Sequence, residues 1–315
     1  MSDLITKLAL ATGMDQTSVR RIMVTAPHRY KSYYIAKRNG SLRRISQPAR
    51  EVKALQRAFV DLVLAYLPIH ASATAYRIGQ SIRGNAAAHC KSGPILKMDF
   101  ENFFPSIKKS DWTQYCGKTG CLKEQSDIEL SGSLLFQYQP ERASQRLAIG
   151  APSSPILSNI LMYDFDVGIV NRLAGGPIIY TRYADDLTFS APRTGYMHNI
   201  AKIVRQTIKS TPYPTLKLNK EKTTYVTAKY HRSVTGLTLS LDGRVTIGTQ
   251  KKRELHAKVH HAKYDRLDAE SLQHLAGYLA FVNSVEPGFL TVLSKKYGTE
   301  VLRKIRSSSK ISLKN

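Results

Sequence analysis

The sequence predicts an α+β fold, with helices packed on one face of an antiparallel sheet, and three stretches predict it. Pro94-Ile-Leu-Lys-Met-Asp99 is a short apolar strand that ends on a carboxylate. From Ser154 to Leu173, Ile156, Ile160, Phe165 and Ile169 recur at helical spacing. Ile178 to Ala184 and Leu187 to Ser190 are two arms filled with β-branched and aromatic residues. Asp185 and Asp186 lie at the tip of that hairpin, where acidic side chains suit turn geometry. Strand, helix and hairpin in this order give a sheet with its helices on one side.

The N-terminal thirty residues read as short helices, with Leu4, Leu8 and Ala11 on one side and Val19, Ile22 and Met23 on another. Tyr30 to Tyr34 and Leu42 to Ile45 read as a strand pair joined across Lys37-Arg-Asn-Gly40, an Asn-Gly turn. Arg43 and Arg44 on the second strand could reach phosphates or could line a solvated edge. Pro48 to Leu67 is helical, with Val52, Leu55, Phe59, Leu62 and Tyr66 on one stripe and Pro68 as terminator. Asn85 and His89 are four apart, so a helix puts them on one face, where a satisfied structural pair is the simpler reading.

Asp111 to Arg146 is mixed and rich in Gln and Ser, helical around Ile128 to Phe136. Leu147 to Pro155 is a tight loop of small residues, including Gly150, Ala151 and Pro152. It ends in Ser154 as N-cap and Pro155 as first helical residue. A helix through Ile200, Val204 and Ile208 leads to a strand-like Leu216 to Asn219 and a basic turn up to Thr223. Lys222 in that turn could donate a proton to a leaving group or be a solvated lysine. His231 to Leu239 and Arg244 to Ile247 form a further hairpin, and from Thr249 the chain is helical and basic.

Composition narrows the function. The chain of 315 residues carries 47 Lys and Arg against 23 Asp and Glu, a formal charge of +24. Such a surplus, spread along the chain, predicts a polyanionic partner, nucleic acid before an anionic membrane. No apolar run reaches transmembrane length, and the first residues lack the layout of a signal peptide. Cys90, Cys116 and Cys121 have no CxxC spacing, which predicts reduced thiols and a cytoplasmic protein, without a zinc site or a disulfide frame. No solenoid repeat is present.

Two adjacent carboxylates on a rigid hairpin repel each other unless a cation neutralises them. With Asp99 on a neighbouring strand they would suit two Mg²⁺ ions, the device of phosphoryl transfer. In this setting four blocks resemble reverse transcriptases, and among those the short retron-type enzymes of bacteria. They are Met98-Asp-Phe-Glu-Asn-Phe-Phe-Pro-Ser-Ile107, Gly150-Ala-Pro-Ser-Ser-Pro-Ile-Leu-Ser-Asn159, Tyr180-Thr-Arg-Tyr-Ala-Asp-Asp-Leu187 and Leu218-Asn-Lys-Glu-Lys-Thr223. Asn85-Ala-Ala-Ala-His89 and Val234-Thr-Gly236 look like the segments that set retron enzymes apart.

The resemblance implies a right-hand polymerase: an N-terminal helical segment (1–29), fingers (30–93), a palm (94–248, with a fingers insertion at about 108–147) and a basic helical thumb (249–315). It implies that Asp99, Asp185 and Asp186, with Phe100 beside them, hold two Mg²⁺ ions, and that Lys222 serves catalysis. Arg43, or its neighbour Arg44, would hold the triphosphate. Phe104 would exclude a 2′-OH, and Phe100, Gly150, Ala151 and Pro152 would complete the nucleotide site. Asn85, His89, Val234, Thr235 and Gly236 would contact RNA or primer. Many relatives carry Gln where Ile149 stands, which leaves nucleotide selectivity open.

The activity implied is RNA-directed DNA synthesis on a cognate structured non-coding RNA. Priming from a 2′-OH of that RNA would give a branched RNA–DNA product, in a setting of antiphage defence. The implied partners are the RNA and its RNA–DNA hybrid, dNTPs, a host RNase H to remove template, and an accessory effector protein. The alternatives are a reverse transcriptase of group II intron or diversity-generating type, and a non-catalytic RNA-binding protein on the same scaffold.

Overall fold

In the computed structural model, which describes residues 3–37 and 40–308, the predicted hairpins and helices form with several shifts of boundary. The chain opens with α1 (Asp3–Thr12) and α2 (Gln16–Thr25), whose first turn is capped by the Asp15 carboxylate accepting from Ser18 N–H. The buried stripe of α1 is Leu4, Ile5, Leu8 and Ala9, whereas Ala11 is exposed. The strands β1 (Tyr30–Ala36) and β2 (Leu42–Pro48) pair antiparallel over their whole length, Tyr30 opposite Pro48 and Ala36 opposite Leu42. The Arg38-Asn39 part of the expected turn lies outside the described residues. Because Pro48 completes β2, the next helix, α3 (Arg50–Leu62), starts later than the periodicity suggested. It also ends earlier, in a single 3₁₀ turn that leaves Tyr66 exposed.

Helix α4 (Ile82–His89) is capped by the Ser81 hydroxyl, which accepts from Gly84 N–H. Then follow β3 (Ile95–Phe100), the short α5 (Phe103–Ser106), α6 (Lys109–Thr119) and α7 (Gln125–Leu135). The ribbon β4 (Gln137–Gln139) and β5 (Ser144–Arg146) precedes the small-residue loop. The expected single helix is two, α8 (Ser154–Leu161) and α9 (Tyr163–Leu173), broken at Met162. Ser153 rather than Ser154 is the capping position, and its backbone is already helical (φ −81°, ψ −26°), so its hydroxyl does not cap.

The hairpin forms as β6 (Ile179–Tyr183) and β7 (Asp186–Ser190), and α10 (Ile200–Ser210) leads to β8 (Leu218–Val226). The segment expected as a basic turn is therefore strand. Its turn-like character survives locally, because Asn219 Oδ1 accepts from the backbone N–H of Glu221 and Lys222. These strands make one four-stranded sheet in the order β6-β7-β3-β8. The expected hairpin beyond it is a three-stranded sheet, β9 (Arg232–Val234), β10 (Leu237–Leu239) and β11 (Val245–Thr246). Its first turn has positive φ at both Thr235 (47°) and Gly236 (78°), the two-residue hairpin geometry that matches strand twist. The C-terminal helices are α11 (Thr249–Lys263), α12 (Ala269–Val285), α13 (Pro287–Tyr297) and α14 (Thr299–Ser308).

The chain divides into two compact units. One comprises Met1–Gln80, Leu96–Phe189 and Gly195–Thr224, and its core holds Phe59 edge-on to Trp112 and Phe100 edge-on to Phe165. The other comprises Ser81–Ile95, Ser190–Thr194 and Tyr225–Asn315. Its core joins Ala86 and Cys90 of the α4 segment to Val234, Leu237 and the apolar faces of the C-terminal helices. The three cysteines are unbridged, although the sulfurs of Cys116 in the last turn of α6 and of Cys121 just beyond it are 3.6 Å apart. Among the described residues no helix is long and apolar enough to cross a membrane.

Candidate active site

The predicted carboxylates converge at one end of the four-stranded sheet. Between β6 and β7, Ala184 adopts φ 57°, which turns the chain tightly enough to present Asp185 and Asp186 together. Phe100 N–H donates to the Asp185 carbonyl at 3.3 Å and fixes the end of β3 to the hairpin tip. Asp99, at the same end of β3, is 6% exposed. Its Oδ2 accepts from Lys222 Nζ at 2.9 Å, while its Oδ1 is buried with no hydrogen-bond partner.

Three like charges this close oppose one another's ionisation. Loss of hydration, followed by the charge of Asp99, raises the Asp185 pKa above the usual carboxylate range. Asp186 stands at the solvent-facing rim, yet crowding by protein atoms and then the charges of Asp185 and Asp99 push its pKa up to about 7. Lys222 is held protonated, chiefly by its hydrogen bond to Asp99.

A buried network beneath the hairpin holds its shape. Arg182 on β6 and Asp166 on α9 are both fully buried, and Arg182 Nη2 donates to Asp166 Oδ2 at 2.7 Å and Nε to Oδ1 at 2.9 Å. Tyr180 Oη donates to Asp166 Oδ1 at 2.7 Å. Arg182 Nη1 donates to Asn159 Oδ1 at 3.0 Å and to the Ala184 carbonyl at 3.2 Å, gripping the turn itself. The break at Met162 lets both Asn159 on α8 and Asp166 on α9 face this one guanidinium. Burial works against the Arg182 charge, but Asp166 outweighs it and raises the pKa further.

Around the carboxylates, the predicted nucleotide residues separate into those that are accessible and those that are not. Arg43 is exposed on β2 and, among the described residues, no side-chain hydrogen bond or ion pair engages it, whereas Arg44 Nη1 is paired with Glu141 at 2.5 Å. Arg43 is close enough to the carboxylates to temper the Asp185 shift. The Phe100 side chain is core, stacked on Phe103 at 5.9 Å, so only its backbone faces the carboxylates. Phe104 is half-buried, edge-on to Phe103. Gly150 lies against β2: Ser46 N–H donates to the Ile149 carbonyl at 2.7 Å, and a Cβ on Gly150 would stand 2.9 Å from the Ser46 carbonyl oxygen. With φ 121° as well, that position requires glycine. Ala151 is buried and Pro152 half-buried in the same loop.

Comparisons with known proteins show the family of the chain. The reverse transcriptase (RNA-dependent DNA polymerase) family model matches residues 35–257. The retron Ec83 reverse transcriptase of Escherichia coli is 33% identical over 282 residues, covering 89% of this chain and 90% of the relative. The retron Ec86 reverse transcriptase of Escherichia coli is 31% identical over 309 residues, covering 95% and 92%. The chain belongs to the retron reverse transcriptases. It is an RNA-directed DNA polymerase with a reverse transcriptase fold. A solved telomerase from Candida albicans shares that fold, with a TM-score of 0.52 and 13% identity over 90% of this chain, which spans 56% of the telomerase chain.

Reverse transcriptases use divalent metal ions, and the donor set here fits them: hard carboxylate oxygens, one of them buried and unpartnered. Among the described residues no three His, Cys, Asp or Glu side chains are placed so that they could hold a metal ion together as they stand. The two retron-like segments belong to the other unit of this reverse transcriptase, and there they pack together: Thr235 Oγ1 donates to the Ile82 carbonyl at 3.1 Å. Asn85 and Val234 are each 1% exposed and His89 is 0% exposed, with His89 Nδ1 2.7 Å from Ser190 Oγ. Of the five residues expected to contact RNA, only half-buried Thr235 and exposed Gly236 are therefore accessible. Sequence reading missed Asn159, Asp166 and Arg182 as a unit. The signal present was a buried-type Arg inside an otherwise apolar strand and an Asp inside an apolar helix.

Proposed function

We propose that this reverse transcriptase adds deoxynucleotides by a two-metal mechanism at Asp99, Asp185 and Asp186. The observation that carries the reading is the unpartnered, buried Asp99 Oδ1 beside two carboxylates whose ionisation is opposed. Those three side chains, with the Phe100 backbone beside them, would hold two Mg²⁺ ions. Bound there, the cations would lower the pKa of the attacking hydroxyl and neutralise charge on the leaving pyrophosphate. Lys222, protonated and reaching Asp99, supplies a proton to the pyrophosphate. Arg43, rather than the ion-paired Arg44, binds the triphosphate of the dNTP. Phe104 packs against the sugar and excludes a 2′-OH, and the Gly150-Ala151-Pro152 loop lets the nucleotide approach closely.

The palm comprises the four-stranded sheet and its helices, the fingers carry the β1–β2 hairpin, and the basic C-terminal helices form the thumb. The template is a cognate structured non-coding RNA, primed from one of its own 2′-hydroxyls to yield a branched RNA–DNA molecule. Thirteen Lys and Arg against six Asp and Glu in residues 251–315 support the thumb and the Thr235-Gly236 turn as the RNA grip. A host RNase H would trim the template, and an accessory effector would couple the product to antiphage defence in the cytoplasm. The test is to purify the protein from its native host and sequence the nucleic acid that accompanies it. A short DNA joined to a structured RNA through a 2′–5′ branch is expected; heterogeneous RNA without attached DNA would refute the proposed 2′-OH priming and branched product.

A further inference from the structure

Segment 72–76 is stitched onto the strand that leads into the carboxylate hairpin, although more than a hundred residues separate the two in sequence. Arg182 N–H donates to the Ser72 carbonyl at 2.7 Å and Thr74 N–H donates to the Arg182 carbonyl at 2.9 Å, making a parallel bridge between Ala73 and Arg182. Thr74 Oγ1 adds a contact to the same carbonyl at 3.2 Å. Asn159 Nδ2 donates to the Ala75 carbonyl at 2.8 Å, so the network that grips the Ala184 turn also grips the residue before Tyr76. On the other side, Arg77 Nη1 donates to the Ala73 carbonyl at 3.1 Å and to the His70 carbonyl at 3.3 Å.

The residue delivered by this scaffold is unusual. Tyr76 has φ 59°, a left-handed conformation that bulky side chains avoid. Nothing in the core demands it, because the residue is 47% exposed. The ring instead joins an aromatic trio, with its centroid 6.4 Å from Phe104 and 6.5 Å from Tyr183, two residues before Asp185. A strained residue held by buried hydrogen bonds and left half-open beside reactive carboxylates is the arrangement of a ligand-facing group.

We propose that the Tyr76 ring is a wall of the nucleotide subsite, packing with Phe104 against the incoming deoxynucleotide. The ring face, not the hydroxyl, makes the contact. Its position is set by the Asn159–Arg182–Asp166 network, which places the wall and the carboxylates from one anchor. This inference rests on the three-carboxylate centre being the polymerase site.

The test uses the full chain on an RNA template annealed to a DNA primer, with Tyr76→Ala, Tyr76→Phe and, in parallel, Asp185→Asn. Tyr76→Ala is expected to raise KM for the dNTP about tenfold, the worth of one aromatic contact, with kcat within about threefold of the parent. Tyr76→Phe should keep the parent KM. With a primer lacking its 3′-OH, the dNTP concentration needed to hold the stalled complex on a native gel should rise by the same factor for Tyr76→Ala, a readout that needs no turnover. An unchanged KM and complex stability in Tyr76→Ala would overturn the proposal. So would a fall in kcat and melting temperature together at constant KM, which marks a merely structural ring. If Asp185→Asn still polymerises, the reading of the site itself fails; if only Tyr76→Ala behaves like the parent, the wall alone is wrong.

Discussion

Replacing Asp166 by Ala would strand a guanidinium that has no solvent to fall back on. Arg182 is 0% exposed and donates three of its hydrogen bonds to that one carboxylate. Removing one partner of a buried, hydrogen-bonded ion pair costs about 3–5 kcal/mol, because the remaining charge stays buried and unpaired. Tyr180 Oη loses its acceptor in the same step, a further desolvation cost of about 1–3 kcal/mol that overlaps with the first. We therefore expect Asp166→Ala to lose about 4 kcal/mol or more, a large share of the stability of an ordinary domain. The assay is urea denaturation followed by circular dichroism, compared with the parent at pH 7. The double variant Asp166→Leu with Arg182→Met sharpens it, since an apolar pair of similar volume removes the stranded charge and should recover most of the midpoint. Polymerase activity should stay at least tenfold down in the double variant, because Ala184 and Asn159 lose the grip that shapes the hairpin. A loss below about 1 kcal/mol in Asp166→Ala, or a double variant as unstable as the single, would refute this account of the network.

Two further perturbations follow from the same geometry. Burial depresses the His89 pKa to about 4, so the folded state holds fewer protons than the unfolded chain. Stability contributed by neutral His89 is present above about pH 6.5 and is lost as pH falls towards 4, by up to about 3 kcal/mol, and His89→Gln should flatten that part of a stability–pH curve measured by urea midpoints. Gly150→Ala places a Cβ 2.9 Å from the Ser46 carbonyl oxygen in a strained backbone, so it should cost at least about 1 kcal/mol and weaken dNTP binding. Denaturation and steady-state KM measurements together check that expectation.

What was legible in the sequence follows from how local each signal is. Asp99, Asp185 and Asp186 were readable as candidates because each sits at the end of a short, strongly patterned element, a strand or a hairpin tip; the pairing of β3 with β7 brings those ends together. The α4 helix was foreshadowed by the four-residue spacing of Asn85 and His89, whereas the Thr235-Gly236 turn was hidden inside His231 to Leu239, a run that reads as one arm of a hairpin. The segment 72–76 was not readable, because its fold is written in hydrogen bonds to a strand a hundred residues away and its own composition shows no period. The break at Met162 was hidden by an apolar pattern that continues smoothly across it. The break coincides with Asn159 and Asp166 meeting one buried arginine, a long-range contact that periodicity does not carry. The packing of α4 on β9 and β10 was equally hidden, since the two segments lie some 150 residues apart and share only the core around Ala86 and Val234. Lys222 was placed in a turn because its neighbours are charged, yet it lies in a strand whose Asn219 bend accompanies its reach to Asp99.

The most direct test of the central claim is primer extension with Asp185→Asn and Asp186→Asn, made as single substitutions and together. Each removes a charge while keeping the side chain's size, and the carboxylates there already oppose one another, so folding should be unharmed or improved. The account predicts that DNA synthesis falls by at least about a thousandfold while RNA binding at fixed salt is unchanged. DNA synthesis at the parent rate in the double substitution would contradict it, and the chemistry would have to be sought elsewhere in the chain.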